Sequence, residues 1–209
     1  MKFVKFVSEF LKHPKQVGAV AESSPFLARK MARQINDATN VVEFGPGTGS
    51  VTTEILRQMS ENSRLTCLEI NPNFCERLKK INDPRLKVVN DDVQNCNRYV
   101  EKPDCILSSL PLANFNDSEK EKIFSLTSKS KTYIQFQYTP FLRPKLKKYF
   151  RDVKMKFVLL NFPPAFVYVS RNPRKNAILK EHYSTRKTGL RSLAEKLMQI
   201  LLILTGIGR

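Results

Sequence analysis

The stretch VVEFGPGTGS limits the possible folds of this chain more than any other segment. A predicted strand, Asn40–Phe44, is followed at once by three glycines at alternate positions: Gly45, Gly47 and Gly49. Glycine permits a tight turn and a close approach of the backbone to a ligand at the carboxyl end of a strand. The segment has neither the Gly-Lys-Ser/Thr of a P-loop nor the GxGxxG spacing of a dinucleotide fold. It therefore favours another kind of ligand-binding turn, with an ordinary strand–helix turn as the alternative.

Short apolar runs alternate with helical patterns through the middle of the chain. The predicted strands are Asn40–Phe44, Leu65–Ile70, Leu86–Val89, Cys105–Leu107, Tyr133–Phe136, Met155–Leu160 and Ala165–Ser170. The predicted helices between them are Val51–Met59, Phe74–Ile81 and Ser118–Thr127. Such alternation predicts an α/β fold with a parallel sheet. The link NFPP is too short for a helical crossover, so the last two strands are predicted to form an antiparallel hairpin.

Three segments flank this pattern and suggest a division of the chain. Apolar residues recur at helical spacing near the N-terminus, in MKFVKFVSEFLK, and predict an amphipathic helix. A second helix is predicted to begin at Ser24-Pro25, a capping residue followed by proline. A basic tail follows Arg171 and ends in the apolar LMQILLILTGI. We therefore expect an N-terminal helix and loop over residues 1–23, a main domain over 24–171 and a tail over 172–209.

The charge of the chain indicates an anionic partner. Lys and Arg number 36 against 19 Asp and Glu, a formal net charge of +17 over 209 residues. Nucleic acid or an anionic membrane surface would match this surplus, and a merely solubilising surface is the alternative. No apolar run reaches the length of about 18 residues that a membrane span needs. The N-terminal segment lacks the features of a signal peptide, so a cytoplasmic location is expected.

The cysteines and histidines give no sign of a metal site. The four cysteines form no CxxC pair and are predicted to be reduced and buried. The two histidines, His13 and His182, are far apart in sequence and have no cluster of other ligands around them. A zinc site or a histidine-based catalytic triad is therefore not expected.

Acidic residues stand at the ends of three successive predicted strands. Glu43 ends the first, Glu69 ends the second, and Asp91 and Asp92 follow the third. A carboxylate at the end of the second strand suits the two hydroxyls of a ribose. An acceptor and a backbone N–H at Asp91 and Asp92 suit an adenine edge. The set favours a nucleoside ligand without phosphate, whereas solvated strand-end carboxylates are the structural alternative.

With the E-x-G-x-G-x-G motif, these acids resemble the class I S-adenosylmethionine-dependent methyltransferases. The resemblance implies a Rossmann-like, seven-stranded sheet with an antiparallel last pair, and S-adenosylmethionine as cofactor. By this resemblance Glu43 and the Gly45–Gly49 loop hold the methionine part, and Glu69 holds the ribose. Asp91 and Asp92 flank the adenine. The resemblance also assigns three further residues to the cofactor: Ser24, Ile70 and Ser108.

The loop after the fourth predicted strand bears on the acceptor. Ribosomal RNA adenine dimethylases carry Asn-Leu-Pro-Tyr or Asn-Leu-Pro-Phe there, and this chain has Ser109-Leu110-Pro111-Leu112. The amide that would accept from an adenine amino group is absent, and so is the aromatic that would stack on the base. Stacking contributes about 1–3 kcal/mol per base, so its absence argues against a flipped base. Phe115 is the residue left to substitute for it.

Several stretches together resemble the soluble bacterial phosphatidylethanolamine N-methyltransferases. They are KHPKQVGAVAESSPFLARKMA, SSLPLANF, YIQFQYTPFLRP and NFPPAFVYVSR. The resemblance implies methylation of the head-group amine of phosphatidylethanolamine and its methylated forms toward phosphatidylcholine. It implies a peripheral position at the inner face of the cell membrane, with anionic lipid as partner in preference to nucleic acid. The chain departs from the family pattern at Glu22, where proline is expected, and in its long basic tail.

Four residues are candidates for the chemistry. The Ser109 hydroxyl and the Leu110 carbonyl are predicted to accept from the substrate amine. Tyr138 and Glu22 are candidate general bases, although an amine that loses its proton to water needs none. Three alternatives remain open: an RNA adenine dimethylase, a non-catalytic membrane- or RNA-binding protein, and a methylase of small amines. The sequence does not predict an oligomeric state.

Overall fold

The computed structural model describes residues 23–174. Its strands are β1 (Asn40–Phe44), β2 (Arg64–Leu68), β3 (Leu86–Val89), β4 (Cys105–Ser108), β5 (Thr132–Gln137), β6 (Phe150–Val158) and β7 (Ala165–Pro173). Its α-helices are α1 (Pro25–Ala32), α2 (Ser50–Gln58), α3 (Pro72–Lys79), α4 (Asp117–Thr127) and α5 (Arg143–Leu146). Two 3-10 helices cover Val93–Arg98 and Leu112–Asn114. The described part ends where the first of two compact units of the chain, Met1–Arg174, also ends.

The seven strands form one sheet in the order β3-β2-β1-β4-β5-β7-β6. The first five run parallel, whereas β7 is antiparallel to both β5 and β6. The predicted Rossmann-like sheet with an antiparallel last pair is therefore confirmed. This order brings the carboxyl ends of β1, β2, β4 and β5 to one edge of the sheet, where ligands bind in open α/β folds.

Apolar cores cover both faces of the sheet. Successive residues of β1 enter different cores: Val41 packs in the first and Val42 in the second. The first core includes Leu27 and Met31 of α1, so this helix is part of the main fold, although its sequence lay outside the strand–helix alternation. Because β1 is buried on both faces, its continuous apolar run is the pattern of a central parallel strand.

Helix α1 is capped as predicted and is tied to the β6–β7 loop. The Ser24 hydroxyl accepts a hydrogen bond from the backbone N–H of Leu27 (3.2 Å), and Pro25 is the first helical residue. The same hydroxyl donates to the Leu160 carbonyl (2.6 Å), and the Ser24 N–H donates to Asn161 Oδ1 (2.9 Å). The capping residue therefore also holds the β6–β7 loop, which lies far away in the sequence.

The edge strand β6 differs most from its prediction. It begins at Phe150, five residues before the predicted Met155, and pairs along its whole length with β7. Its early part reads Arg151, Asp152 and Lys154, all exposed, with only Val153 buried among them. An edge strand keeps few apolar residues on its exposed side, so the apolar pattern locates its end better than its start.

The remaining predictions concern burial and the chain ends. All four cysteines are buried and free of disulfides, as predicted. None of the helices within residues 23–174 is long and apolar enough to cross a membrane. The predicted N-terminal amphipathic helix, Glu22 and nearly all of the basic tail lie outside the described residues.

Candidate functional site

The glycine loop folds back over the end of β2. Gly45, Gly47 and Gly49 all have positive φ (63°, 56° and 89°), the left-handed region that favours glycine. The Gly45 N–H donates to the Leu68 carbonyl (3.0 Å), and the Gly47 N–H donates to Glu69 Oε2 (3.0 Å). The loop that follows β1 therefore contacts the predicted ribose-binding carboxylate directly.

Glu43 is fully buried beneath this loop. Its Oε2 accepts from the Thr52 hydroxyl (2.6 Å) and from the Cys67 thiol (3.4 Å). Its Oε1 is buried without a hydrogen-bond partner among residues 23–174. Burial raises the pKa of this carboxyl from 4.5 to about 7. A buried oxygen without a partner indicates a place for a donor from a ligand.

Glu69 is also buried, and it joins two backbone segments. Its Oε1 accepts from the Asn71 N–H at the start of α3 (2.9 Å), while Oε2 accepts from Gly47. Each carboxylate oxygen can accept a second hydrogen bond, so both oxygens can still receive a ribose hydroxyl. The next side chain, Ile70, is 71% exposed and offers an apolar surface beside the carboxylate.

The carboxylates of Asp91 and Asp92 accept hydrogen bonds from neighbouring residues, which the sequence analysis did not predict. The Asp91 carboxylate accepts from the Tyr99 hydroxyl (2.7 Å), the Asn95 amide (2.8 Å) and the Asp92 N–H (2.7 Å). The hydrogen bond from Tyr99 contributes most to lowering the pKa of Asp91. Asp92 caps the following 3-10 helix by accepting from the Gln94 N–H (2.8 Å). The N–H expected to read the adenine edge is thus directed at Asp91.

The loop after β4 is held by two buried glutamines that the sequence analysis did not single out. The Leu110 carbonyl accepts from Gln135 Nε2 (3.1 Å) and from Gln137 Nε2 (3.0 Å), both on β5. Tyr133 fixes the first amide by donating its hydroxyl hydrogen to Gln135 Oε1 (2.6 Å). Ser108 is buried, and its Oγ accepts from the Leu110 N–H (3.3 Å). Two glutamines at alternate positions of a buried strand were the available signal, because buried amides need partners.

This network changes the roles expected of the loop. The Leu110 carbonyl also accepts from the Leu112 N–H (2.9 Å), so its lone pairs are fully used, and accepting from a substrate amine would require displacing one of these donors. The Ser109 hydroxyl oxygen, in contrast, is buried and has no hydrogen-bond partner among the described residues. The Leu110 side chain packs on the glycine loop, since a Cβ at Gly45 would lie 2.9 Å from Leu110 Cδ2. Of the two predicted acceptors, Ser109 is the one with free capacity.

Of the other predicted residues, Tyr138 and Ser24 lie beside the β6–β7 loop, and Glu22 lies outside the described residues. Tyr138 is half-buried and packs edge-on against Phe136 (5.6 Å between ring centroids). Burial raises the pKa of Tyr138, so its phenol keeps its proton at neutral pH, which favours hydrogen bonding over proton removal. Ser24 uses its hydroxyl in the helix cap, and Glu22 is not described. No cluster of metal-ligating side chains occurs within residues 23–174.

The arrangement at this edge fits an adenosyl amino acid. Glu43 Oε1 and the glycine loop would hold its polar methionine end, and Glu69 would hold its ribose. Ile70 and Asp91 would border its base. Among residues 23–174, no atom would lie within 4 Å of a Cβ at Gly47, so the described part of the chain leaves open space there.

The buried carboxyl of Glu43 should make stability depend on pH. Its folded pKa of about 7 exceeds the ordinary 4.5, so the folded protein holds an extra proton between these values. Stability should therefore fall as pH rises through this window, by up to about 3 kcal/mol. Glu43→Gln should remove this slope in urea unfolding between pH 5 and 8, whereas Glu61→Gln at an exposed site should keep it. Equal slopes in wild type and Glu43→Gln would contradict the assignment.

Two glycine substitutions should separate cofactor binding from stability. Gly49→Ala places a Cβ 3.0 Å from Leu78 Cδ2 at φ 89°, so its main effect should be a loss of stability of about 1–3 kcal/mol. Gly47→Ala meets no neighbour, so it should cost about 1 kcal/mol of stability but weaken S-adenosylmethionine binding at least about tenfold, or about 1.4 kcal/mol. Calorimetric titration and urea unfolding of both variants measure this. If Gly47→Ala bound S-adenosylmethionine with unchanged affinity, the open space beside Gly47 would not be part of the cofactor site.

Comparison with known proteins agrees with this site. Residues 4–152 match the ribosomal RNA adenine dimethylase family. An ornithine lipid N-methyltransferase of Singulisphaera acidiphila is 29% identical over 188 residues, 83% of this chain and 98% of that protein. An rRNA adenine N-6-methyltransferase of Lysinibacillus sphaericus is 28% identical over 106 residues, 50% of this chain and 42% of that protein.

Solved structures share the fold at low identity. Precorrin-6y C5,15-methyltransferase from Geobacter metallireducens has a TM-score of 0.55 at 16% identity, covering 70% of this chain and 87% of its own. The N-terminal domain of EvdMO1 with SAH bound has a TM-score of 0.56 at 14% identity, covering 73% and 83%. The fold is thus that of Rossmann-like methyltransferases.

The family match, the fold and the residues at the carboxyl edge agree with one another. The cofactor is S-adenosylmethionine, and the protein is a methyltransferase that depends on it. The family match covers β1 to β5, the strands that build the site, and the first residues of β6. The chain belongs to the ribosomal RNA adenine dimethylase family.

Proposed function

We propose that this protein methylates the primary amine of a membrane-lipid head group, phosphatidylethanolamine or an ornithine lipid. The observation that carries the proposal is the loop after β4, Ser109-Leu110-Pro111-Leu112. It carries one buried hydroxyl that has no partner in the described structure, and apolar side chains, where a nucleobase methylase needs an amide and an aromatic platform. A small aliphatic amine needs neither.

The two residues that could provide a stacking platform in this loop are packed against the second core instead. Leu112, where the resemblance expects an aromatic residue, is buried in the second core. Phe115 is half-buried and packs against the same core. Without about 1–3 kcal/mol from stacking, an extruded adenine would lose much of its binding energy.

The relatives add support for a lipid substrate. The chain spans 98% of the length of the relative that methylates an ornithine lipid. It spans only 42% of the length of the rRNA methylase. An ornithine lipid and phosphatidylethanolamine both present a primary aliphatic amine, so one pocket chemistry suits both.

Bound S-adenosylmethionine supplies an electrophilic methyl group at the site. A primary amine with a lysine-like pKa of about 10.4 must lose its proton first, which costs about 4–5 kcal/mol at pH 7. The apolar side chains of Leu110 and Pro111 desolvate the ammonium and lower this cost. Ser109 Oγ accepts a hydrogen bond from the amine and directs its lone pair. Gln135 and Gln137 keep the loop in place through the Leu110 carbonyl.

Methylation of rRNA adenine is the second candidate, because the family and the net charge of +17 both favour it. The test uses methyl-labelled S-adenosylmethionine with three acceptors in parallel: phosphatidylethanolamine vesicles containing anionic lipid, ornithine-lipid vesicles and ribosomal RNA. We expect label in at least one lipid extract, and the two lipid arms identify the head group. Label in RNA alone would overturn the proposal in favour of the second candidate.

Ser109→Ala should separate chemistry from stability. The Ser109 oxygen is buried without a partner in the described structure, so removing it should leave stability unchanged or slightly higher. Loss of one hydrogen bond to the amine should lower the rate of methyl transfer about 3- to 10-fold. Ser118→Ala, at an exposed position of α4, is the matched control. Full activity in Ser109→Ala would exclude the hydroxyl from the reaction.

A further inference from the structure

Four large apolar side chains are exposed together at the carboxyl edge of the sheet. Leu159, Leu160 and Phe162 in the β6–β7 loop are 68%, 60% and 77% exposed, and Phe26 of α1 is 55% exposed. The hydrogen bonds from Ser24 to Leu160 and Asn161 bring the start of α1 against this loop. We call these four residues the apolar loop patch. Soluble surfaces seldom group such residues unless they meet a partner.

The backbone beneath the patch is fixed by hydrogen bonds. Asn161 is buried, accepts from the Ser24 N–H and donates its amide to the Pro163 carbonyl (2.7 Å). The Leu160 carbonyl accepts from the Ser24 hydroxyl. The loop thus satisfies polar groups internally while its apolar side chains remain exposed. This arrangement suits an apolar surrounding, where an unsatisfied backbone group is costly.

The patch lies beside the site. β5 and β6 both end at this edge, and Gln137, the last residue of β5, pairs with Phe166 of β7 next to the loop. Tyr138 follows Gln137, close enough to Asn161 of the loop for that side chain to act on its pKa, which burial raises, while Gln137 holds the Leu110 carbonyl. Adjacent residues of one strand end therefore connect the patch to the loop proposed to receive the amine.

Two basic residues, Lys154 and Lys156, precede the patch on β6. Lys156 donates to Gln34 Oε1 (2.6 Å), and burial, followed by the charges of Lys30, Arg171 and Lys154, lowers its pKa. Lys154 and Lys156 lie four and two residues before the end of β6, where the loop begins. Apolar side chains beside clustered cations are the combination that binds anionic lipid interfaces.

We propose that the apolar loop patch, with these basic residues beside it, docks the main domain on an anionic lipid bilayer. Leu159, Leu160, Phe162 and Phe26 enter the interface, and the site opening faces the head groups. The proposal rests on the proposed lipid substrate, but it concerns docking and not chemistry. A second copy of the chain is a poorer occupant, because like charges would face each other and four side chains offer little of the roughly 800 Å² per partner that stable interfaces bury.

The absence of tryptophan from the chain allows a direct test. Phe162→Trp in the full-length protein places a single fluorophore in the patch, and Lys148→Trp in a second variant places one before β6, at the opposite edge of the sheet. With vesicles of phosphatidylcholine and phosphatidylglycerol, the emission of the Phe162→Trp variant should shift to the blue and be quenched by brominated lipid. The emission of the Lys148→Trp variant should stay unchanged. Vesicle-bound Phe162→Trp protein without quenching would overturn the proposal, and so would a vesicle-independent shift that grows with protein concentration.

Substitutions in the patch provide a second measurement. Leu159→Ser, Leu160→Ser and Phe162→Ser together should lower partitioning onto these vesicles at least about tenfold, with Met155→Ser on β6 as control. Equal partitioning of triple variant and wild type, with unchanged melting temperatures, contradicts docking through the patch.

The basic residues are tested by a pair of charge-matched double variants. Lys154→Gln with Lys156→Gln should weaken binding to anionic vesicles more than Lys147→Gln with Lys148→Gln, which changes net charge equally. Equal weakening by both pairs would reject the part assigned to the cations beside the patch. Lipid quenching in Phe162→Trp without methylation of any lipid by the wild type would reject the proposed function and leave the docking surface standing.

Discussion

The geometry of the site depends on the backbone carbonyl of Leu110, which accepts hydrogen bonds from two side-chain amides. Gln135 and Gln137 both donate to Leu110 from β5, a buried central strand. The Leu110 side chain then packs on Gly45 of the neighbouring loop. The position of the acceptor loop is thus fixed by strand side chains, and the glycine loop is positioned against it. Buried amides are costly unless they are paired, so this network tolerates few arrangements.

Glu43 and Glu69, the two buried acids on the cofactor side of the site, have different surroundings. Glu69 receives backbone N–H groups from two segments and so joins the glycine loop to α3. Glu43 is buried with one oxygen lacking a partner in the described structure, at a cost in stability to the protein without ligand. A donor from the cofactor would relieve that cost, so binding energy and folding energy are coupled at this carboxyl.

The sequence predicted the central sheet well and the polar interior poorly. β1 has the predicted bounds because a buried parallel strand is a short continuous apolar run between clear turns. β3 also has the predicted bounds, although it is an edge strand in which only Val89 is buried. The glycine loop and Glu69 were identifiable because positive φ and strand-end acids are local features. Gln135 and Gln137 were missed because their partner, the Leu110 carbonyl, is a backbone atom about 25 residues earlier that no side-chain pattern marks. The start of β6 was missed because pairing with β7 overrides its polar sequence.

The open edge of the sheet has a consequence for the protein before it meets any membrane. β6 is one of the two edge strands of the described sheet, and its outer side presents backbone groups that a strand of another molecule could extend. Exposed charges at Arg151, Asp152 and Lys154 oppose such pairing, as charged residues do on natural edge strands. Because an exposed apolar loop directly follows this edge, aggregation is the hazard that the charges counter. Replacing them with neutral β-branched residues would favour strand addition and insoluble protein.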